Sequence, residues 1–154
     1  MTPAFTSVSV TRDIAADPAA VFAHWTSPET RQRWETGPDT GMKYDAFDTR
    51  EGGTEIVRVF ESGTEIGHMV QRIKVLKPGD LLVSTIDAVF NDKLNMIMTV
   101  CVRFERHKSG TRLHAHAQIA DINGRDQTER HTRGWEWILD RFEADIAEHG
   151  LITG

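Results

Sequence analysis

Helix signatures stand near both ends of the chain, and an almost unbroken alternation of apolar and polar residues separates them. Asp17 followed by Pro18 provides an N-cap acceptor and a first-turn residue that needs no donor. An apolar stripe at helical spacing runs from Trp135 to Ile146. From Met42 to about Ile119, alternation and turn signals predict strands joined by hairpins. The sequence therefore predicts an antiparallel sheet with a long last helix packed against it.

The segment before the loop at Gly37 predicts a strand and two short helices. Alternation predicts the strand over Val8 to Ile14, and a helix face that includes Trp25 follows. Pro28 disfavours a helical backbone at the residue before it, so we expect a kink there. The second short helix should then run to about Trp34.

The last helix has a predicted start and a predicted buried face. Asp126 and Glu129 have the spacing of a capping box, which places the helix start at Asp126. The stripe consists of Trp135, Ile138, Leu139, Phe142 and Ile146. This stripe must lie on the sheet, because nothing else in the chain could cover it.

Composition narrows the class of protein. The 154 residues fit a single domain, 1–154, with its core over about residues 8–149. The net charge of −5 gives no basic surface for nucleic acid. Cys101 is the lone cysteine, so no intramolecular disulfide can form. Since neither a signal sequence nor an apolar stretch of about 20 residues is present, we expect a cytoplasmic protein without membrane insertion.

The end signatures and the turns between them resemble a known family. In chain order, the residues that carry the resemblance are Asp17-Pro18-x-x-Val21-Phe22-x-x-Trp25-Thr26-x-Pro28-Glu29, Trp34, Arg50-x-Gly52-Gly53, Ser62-Gly63, Lys77-Pro78-x-x-Leu81-Leu82-Val83, Gly110-Thr111-Arg112-Leu113 and Gly134-Trp135-x-x-x-Leu139. They are similar to the bacterial proteins related to the activator of the heat-shock protein 90 ATPase. The resemblance implies an α+β helix-grip fold of the START, SRPBCC or Bet v 1-like superfamily. In that fold a curved antiparallel sheet grips a long C-terminal helix, and two small helices close one end.

The resemblance also implies a range of functions. Members of the superfamily often bind an apolar or amphipathic small molecule between helix and sheet. Some members catalyse cyclisation or hydrolysis there, and others act on protein partners. The eukaryotic activators carry a further N-terminal domain for the chaperone, for which 154 residues leave no room. A chaperone partner is therefore not the expectation, although it stays open.

Inward-facing apolar side chains are the candidate wall of a ligand cavity. Ligand pockets are mostly apolar with a few orienting polar groups. Flexible methionines adapt to irregular volumes, and Ala115 and Ala117 leave space unfilled. Plain core packing is the alternative for each residue. The predicted wall is Trp25, Trp34, Phe47, Val57, Val59, Met69, Met96, Met98, Val100, Trp135, Leu139 and Phe142.

His131 and Thr128 extend the stripe of the last helix backwards from Trp135 by one turn and by two turns. We expect both side chains to face the same space as Trp135, as a polar pair at the mouth of the cavity. His131 could also serve as a general acid or base near neutral pH. The alternative is that the helix start projects past the sheet and both residues are solvated.

Other chemistry-bearing residues give weaker signals. His114 and His116 should point outward together, but a metal site needs further ligands, and we expect neither metal nor cofactor. His24 lies off the Trp25 face of its helix and is predicted at the surface. Cys101 is predicted to be a structural thiol. Asp87 is predicted at an edge or in solvent, with an inward orientation and a raised pKa as the alternative.

Trp137 lies about 160° round the last helix from the centre of the stripe, at 100° per residue. An exposed tryptophan often marks an interface, so we hypothesise a homodimer contact at Trp137. The alternative is that the ring lies flat under Arg133 or Arg141 as a cation–π pair.

The expected function is binding of a small hydrophobic or amphipathic ligand between the last helix and the sheet. No nucleophile, metal set or cofactor motif in the sequence supports an enzyme class. Two alternatives stay open. One is a cyclase-like or hydrolase-like enzyme that uses His131 or Asp87 in the same cavity, and the other is a co-chaperone-like protein-interaction module.

Overall fold

A computed structural model describes residues 2–37 and 40–152 of the chain. In chain order, its elements are β1 (Ala4–Ile14), α1 (Pro18–Thr26), α2 (Pro28–Trp34), β2 (Thr40–Phe47), β3 (Thr54–Glu61), β4 (Thr64–Lys77), β5 (Leu81–Phe90), β6 (Lys93–His107), β7 (Gly110–Asp121) and α3 (Thr128–His149). The predicted order of strand, two short helices, strands and long helix is confirmed.

The strands form one antiparallel sheet in the order β1-β7-β6-β5-β4-β3-β2. Hairpins join the strands from β2 to β7 in sequence, and β1 returns to pair with β7 from Ala4↔Asp121 to Ile14↔Thr111. The pairing register shifts within β2, between β3 and β4, between β4 and β5, and between β5 and β6. Such bulges bend a strand and increase its twist, which gives this sheet its concave face.

The two short helices begin where prolines require it. Ser27 has φ −77° and ψ 131°, the extended backbone expected before Pro28, and this residue separates α1 from α2. Asp17 is also extended at the N-cap of α1, but its side chain makes no capping hydrogen bond within the described residues. Its carboxylate instead accepts a hydrogen bond from Arg106 at 2.9 Å.

The last helix has its N-cap one residue later than the sequence predicts. Gln127 is its N-cap, and Asp126 lies just outside the helix, so the predicted capping box does not form. Oδ1 of Asp126 accepts hydrogen bonds from the backbone N (2.9 Å) and from Oγ1 (2.6 Å) of Thr128. The helix ends before Gly150, whose φ of 78° favours glycine.

The core lies where the three helices meet the concave face, with Trp25 at its centre. The ring centroid of Trp25 lies 4.7 Å from that of Trp34 and 5.0 Å from that of Phe142. Trp135 stacks nearly parallel to Trp25 at 6.4 Å. Since these aromatic residues come from α1, α2 and α3, their packing fixes the three helices relative to one another.

His24 is buried, and its predicted surface position is wrong. The side chain is 0% exposed, and its Nε2 donates to Oδ2 of Asp145 at 2.8 Å. Arg33 donates to the same carboxylate through Nε and Nη2, at 2.8 and 2.9 Å. The His24 ring also packs edge-on against Phe142. The prediction failed because it considered α1 against the sheet alone, whereas α3 covers a second side of α1.

Candidate functional site

The concave face of the sheet and α3 enclose a cavity of about 570 Å³. It extends from an inner end beneath α1 and α2 to a mouth beside the first turns of α3. Of the predicted wall residues, those that line it are Trp25, Trp34, Val57, Val59, Met69, Met96, Met98, Val100 and Trp135, and the predicted His131 lines its mouth. Side chains along a strand alternate between the two faces of the sheet, so every second residue of a strand faces the cavity.

The remaining predicted wall residues lie outside the cavity lining. Leu139 and Phe142 are fully buried, because the stripe of α3 divides: its first part faces the cavity and its second part packs into the core. Phe47 packs edge-on against Tyr44, with ring centroids 4.8 Å apart. Thr128 is exposed to solvent, and its hydroxyl donates to Asp126 at the start of the helix. For Thr128, the alternative of a solvated helix start is therefore the observed one.

The mouth is polar and partly ordered by Asp121. Its carboxylate accepts hydrogen bonds from Nε2 of Gln127 at 2.5 Å and from the backbone N of Asn123 at 2.7 Å. Burial opposes ionisation of Asp121, but these hydrogen bonds outweigh it and hold the pKa of this carboxyl below its usual value. Burial lowers the pKa of His131, and the neighbouring Arg130 lowers it further. His131 is therefore a neutral imidazole at pH 7.

A buried ionic group occupies the inner end of the cavity. Arg31 on α2 lies with its Nε 3.0 Å from Oε1 of Glu35 and its Nη1 3.3 Å from Oε1 of Glu55. Arg31 is 7% exposed and Glu55 is 1% exposed. Burial disfavours the charged guanidinium, but the adjacent Tyr44, Glu35 and Glu55 more than offset it and raise the pKa of Arg31. Arg31 stays charged inside the fold.

Further hydrogen bonds connect this ionic group to the cavity wall. Nε2 of Gln71 donates to Oε1 of Glu55 at 2.5 Å, and Oγ of Ser84 donates to Oε1 of Gln71 at 3.0 Å. The hydroxyl of Tyr44 donates to Glu35, and burial raises the pKa of that hydroxyl well above its usual value. The whole group is here named the Arg31 cluster, and it comprises Arg31, Glu35, Tyr44, Glu55, Gln71 and Ser84, all of which line the cavity.

Sequence reasoning missed the Arg31 cluster, although two signals for it were present. Glu55 shares the inward register of Val57 and Val59, so a carboxylate stands in an apolar strand face. Arg31 and Glu35 stand four residues apart on and just after α2, the spacing of an ion pair on one helix face. Neither signal indicates that Arg31 and Glu55 lie next to each other, because α2 and β3 approach only in the folded chain.

The residues considered for acid–base or metal chemistry lie away from the cavity, apart from His131. Asp87 is on the outer face of β5, 3.5 Å from Arg72. His114 is 2.8 Å from Glu105, and His116 is 2.6 Å from Oγ of Ser9, both on the outer face of the sheet. Within residues 2–37 and 40–152, no group of three or more His, Cys, Asp or Glu side chains is arranged to hold a metal ion.

Trp137 is partly buried rather than exposed. The Arg141 guanidinium carbon lies 5.3 Å from the centroid of its ring, which is the cation–π alternative of the sequence analysis. The ring also packs against Gly37, where an added Cβ would lie 2.6 Å from Cζ2 of Trp137. A homodimer contact at Trp137 stays a prediction.

A curved antiparallel sheet that grips a long last helix, with two short helices at one end and a cavity between, defines the Bet v 1-like helix-grip class. The chain belongs to the family of activator of Hsp90 ATPase homolog 1-like proteins, whose model matches residues 15–146. The family and fold predicted from the sequence are thus confirmed.

Solved structures agree on the fold. The Mll3558 protein from Rhizobium loti superposes with a TM-score of 0.84 at 22% identity, covering 94% of this chain and 99% of that one. A protein from Rhizobium leguminosarum gives 0.83 at 21% identity, covering 96% and 98%. Ara h 8.0201 gives 0.73 at 11% identity, covering 95% and 100%. No curated protein matches the chain. In the described part of the chain, no helix is both long enough and apolar enough to cross a membrane.

Proposed function

We propose that this protein binds a small hydrophobic or amphipathic molecule in the cavity between α3 and the sheet. The observation that carries the proposal is the cavity itself: about 570 Å³, with a mostly apolar wall and polar groups at its two ends. Pockets for drug-sized ligands have volumes of about 300–1,000 Å³ and this same mixture of apolar wall and few polar groups.

The wall supplies the driving force and the adaptability that such binding needs. Transfer of apolar ligand surface from water contributes roughly 25 cal/mol per Å². Met69 on β4 lies across β5 from Met96 and Met98 on β6, and all three line the cavity. Unbranched thioether side chains can follow the shape of different ligands. The arrangement therefore favours a family of apolar ligands over one rigid shape.

Binding is favoured over the cyclase or hydrolase alternative by the surroundings of the two predicted acid–base groups. Asp87 points away from the cavity, beside Arg72. His131 makes no side-chain hydrogen bond within the described residues, and Asp121 near it is engaged by Gln127 and Asn123. An acid–base pair needs a base that a second group orients, and His131 lacks that group.

Native mass spectrometry of protein purified from its own host tests the proposal, together with titration by the apolar fluorophore N-phenylnaphthylamine. We expect a co-purified small molecule or saturable fluorophore binding. Val100→Phe places a ring inside the cavity and should weaken binding at least about tenfold. Val83→Phe is the matched control, because Val83 stands on the opposite face of β5 from the cavity residues Leu82 and Ser84.

The proposal fails if no small molecule co-purifies and the fluorophore does not bind. It also fails if Val100→Phe and Val83→Phe bind the fluorophore as well as the wild type, because the site would then lie elsewhere on the protein. A thermal melt of both variants confirms that each is folded before the comparison is made.

A further inference from the structure

Two buried hydrogen-bond donors at the inner end of the cavity have no partner among the described residues. They are Nε1 of Trp34 and Nη1 of Arg31, and both residues line the cavity. The Arg31 atom is 3.3 Å from Glu55, close enough for attraction but without hydrogen-bond geometry. Buried donors are almost always satisfied in native proteins, so two unpaired donors on residues that line the same cavity point to a polar group of a ligand as their partner.

Each carboxylate oxygen around these donors already accepts a hydrogen bond from another group. Glu35 accepts from Arg31 through Oε1 and from Tyr44 through Oε2. Glu55 accepts from Gln71 through Oε1 and from Thr49 through Oε2. The cavity-lining atoms left without any hydrogen bond in the described part of the chain, Nη1 of Arg31 and Nε1 of Trp34, are both donors, so a ligand that pairs them must bring an acceptor.

The charges near these donors argue against an anionic ligand. At the inner end two carboxylates, Glu35 and Glu55, surround one guanidinium, so the cluster carries no surplus positive charge. A ligand carboxylate would lose its hydration and meet two like charges at short range in a poorly solvated site. A neutral acceptor such as a carbonyl oxygen has neither penalty.

We propose that the cavity selects neutral amphipathic molecules whose polar end is a carbonyl-type acceptor, bound with that end at Trp34 and Arg31. The inference rests on the proposed binding function and deepens it by naming the ligand class. The apolar body of the ligand lies against Met69, Met96 and Met98 and extends towards the mouth of the cavity. Selectivity then comes from the buried donors, because a ligand without an acceptor leaves them unpaired.

Three ligands with one fluorescent ring test the inference: the neutral ketone Prodan, its analogue with a carboxylate in place of the ketone, and the parent dimethylaminonaphthalene without an acyl group. Emission anisotropy of each ligand gives its dissociation constant on the wild-type protein. We expect the ketone to bind at least about tenfold more tightly than either of the other two.

Trp34→Phe removes the indole N–H and keeps an aromatic wall. It should weaken binding of the ketone about fivefold or more and leave the acyl-free parent nearly unchanged. Trp137→Phe, the same substitution at a residue outside the cavity, should alter neither ligand. Prodan emission gives a second measure, because loss of a hydrogen bond to its carbonyl shifts the emission of bound ligand to shorter wavelength.

The outcomes separate the two proposals. Equal affinity for all three ligands, or tightest binding of the carboxylate, overturns the inference and leaves the binding function standing. An equal loss for ketone and parent in Trp34→Phe also overturns it, because the residue would then act only as apolar wall. If none of the three binds and N-phenylnaphthylamine does not bind either, the binding function fails and the inference fails with it. The wild-type comparison remains decisive should Trp34→Phe not fold.

Discussion

Replacement of Asp145 by alanine should destabilise the fold far more than removal of a surface carboxylate from the same helix. Asp145 is buried and accepts hydrogen bonds from His24 and from two nitrogens of Arg33. Arg33 is 40% exposed and can turn into water when the carboxylate is lost, so the loss of its ion pair contributes little to the destabilisation. His24 is 0% exposed and would keep a buried ring with both nitrogens unpaired.

The loss can be worked from these contacts. A buried group left without its charged hydrogen-bond partner costs about 1–3 kcal/mol, and removal of the buried carboxylate atoms adds a packing term, so Asp145→Ala should cost about 2–4 kcal/mol. For a domain of this length, that is a fall in Tm of roughly 5–12 °C. Asp140→Ala is the matched control: its side chain is 71% exposed, and its partner Arg12 keeps Glu143. We expect a change below about 0.5 kcal/mol there.

Urea denaturation followed by tryptophan fluorescence measures both variants. The expected result is a lower midpoint for Asp145→Ala with an unchanged slope, since the surface exposed on unfolding is the same. His24→Leu should cost less than Asp145→Ala, because it removes the buried polar ring and leaves Asp145 paired with Arg33. If Asp145→Ala and Asp140→Ala shift the midpoint equally, the contacts of Asp145 with His24 and Arg33 do not stabilise the fold and the reasoning is refuted.

Three further predictions follow from single positions. Gly53→Ala should destabilise the fold by about 2 kcal/mol or more, because an added Cβ would overlap the carbonyl oxygen of Asp48, and urea denaturation measures this. Gly134→Ala should raise stability by up to about 1 kcal/mol in the same assay, because beyond the adjoining helix backbone an added methyl there meets no atom within 4 Å, and alanine favours the helix. The lowered pKa of His131 means that its neutral form stabilises the fold, a contribution that is complete above the usual histidine pKa of 6.5 and lost as the pH falls below it. His131→Gln should therefore flatten the decline of Tm between pH 6.5 and the lowered pKa.

Each of these has an outcome that contradicts it. If Gly53→Ala is as stable as the wild type, the loop tolerates a side chain at that position. If Gly134→Ala lowers the stability, the added methyl group clashes with a nearby atom at the mouth of the cavity. Should His131→Gln keep the wild-type pH profile of Tm, another group titrates in that range and His131 is not the cause.

The sequence predicted the elements well because their signals are local. Alternation within a strand and the prolines at Pro18 and Pro28 act over a few residues, and the structure confirms them. Long-range features were harder to predict. Leu139 and Phe142 of α3 were expected to line the cavity with Trp135, yet they pack into the core beside α1. A helical periodicity predicts which residues are buried, but it does not show whether they face the core or the cavity.

The Arg31 cluster shows the same limit for the candidate site. Its members come from α2, the turn after it, and four successive strands, so no short segment of sequence contains the cluster. Glu55, in the inward register of an apolar strand, was the detectable sign. A charged residue at such a position needs a buried partner, and a search for that partner would have pointed to the inner end of the cavity.

The position of β1 has a consequence for how the chain reaches its fold. Hairpin turns join β2 through β7 in sequence, so each of these strands finds its neighbour close by along the chain. β1 instead pairs with β7, and Ala4 meets Asp121 only after every intervening strand has been made. Closing that long loop costs chain entropy before it gains any contact. β1 is synthesised before β2 to β7 and can join the sheet only after β7 has been made, and until the two strands pair the edge of β7 is open.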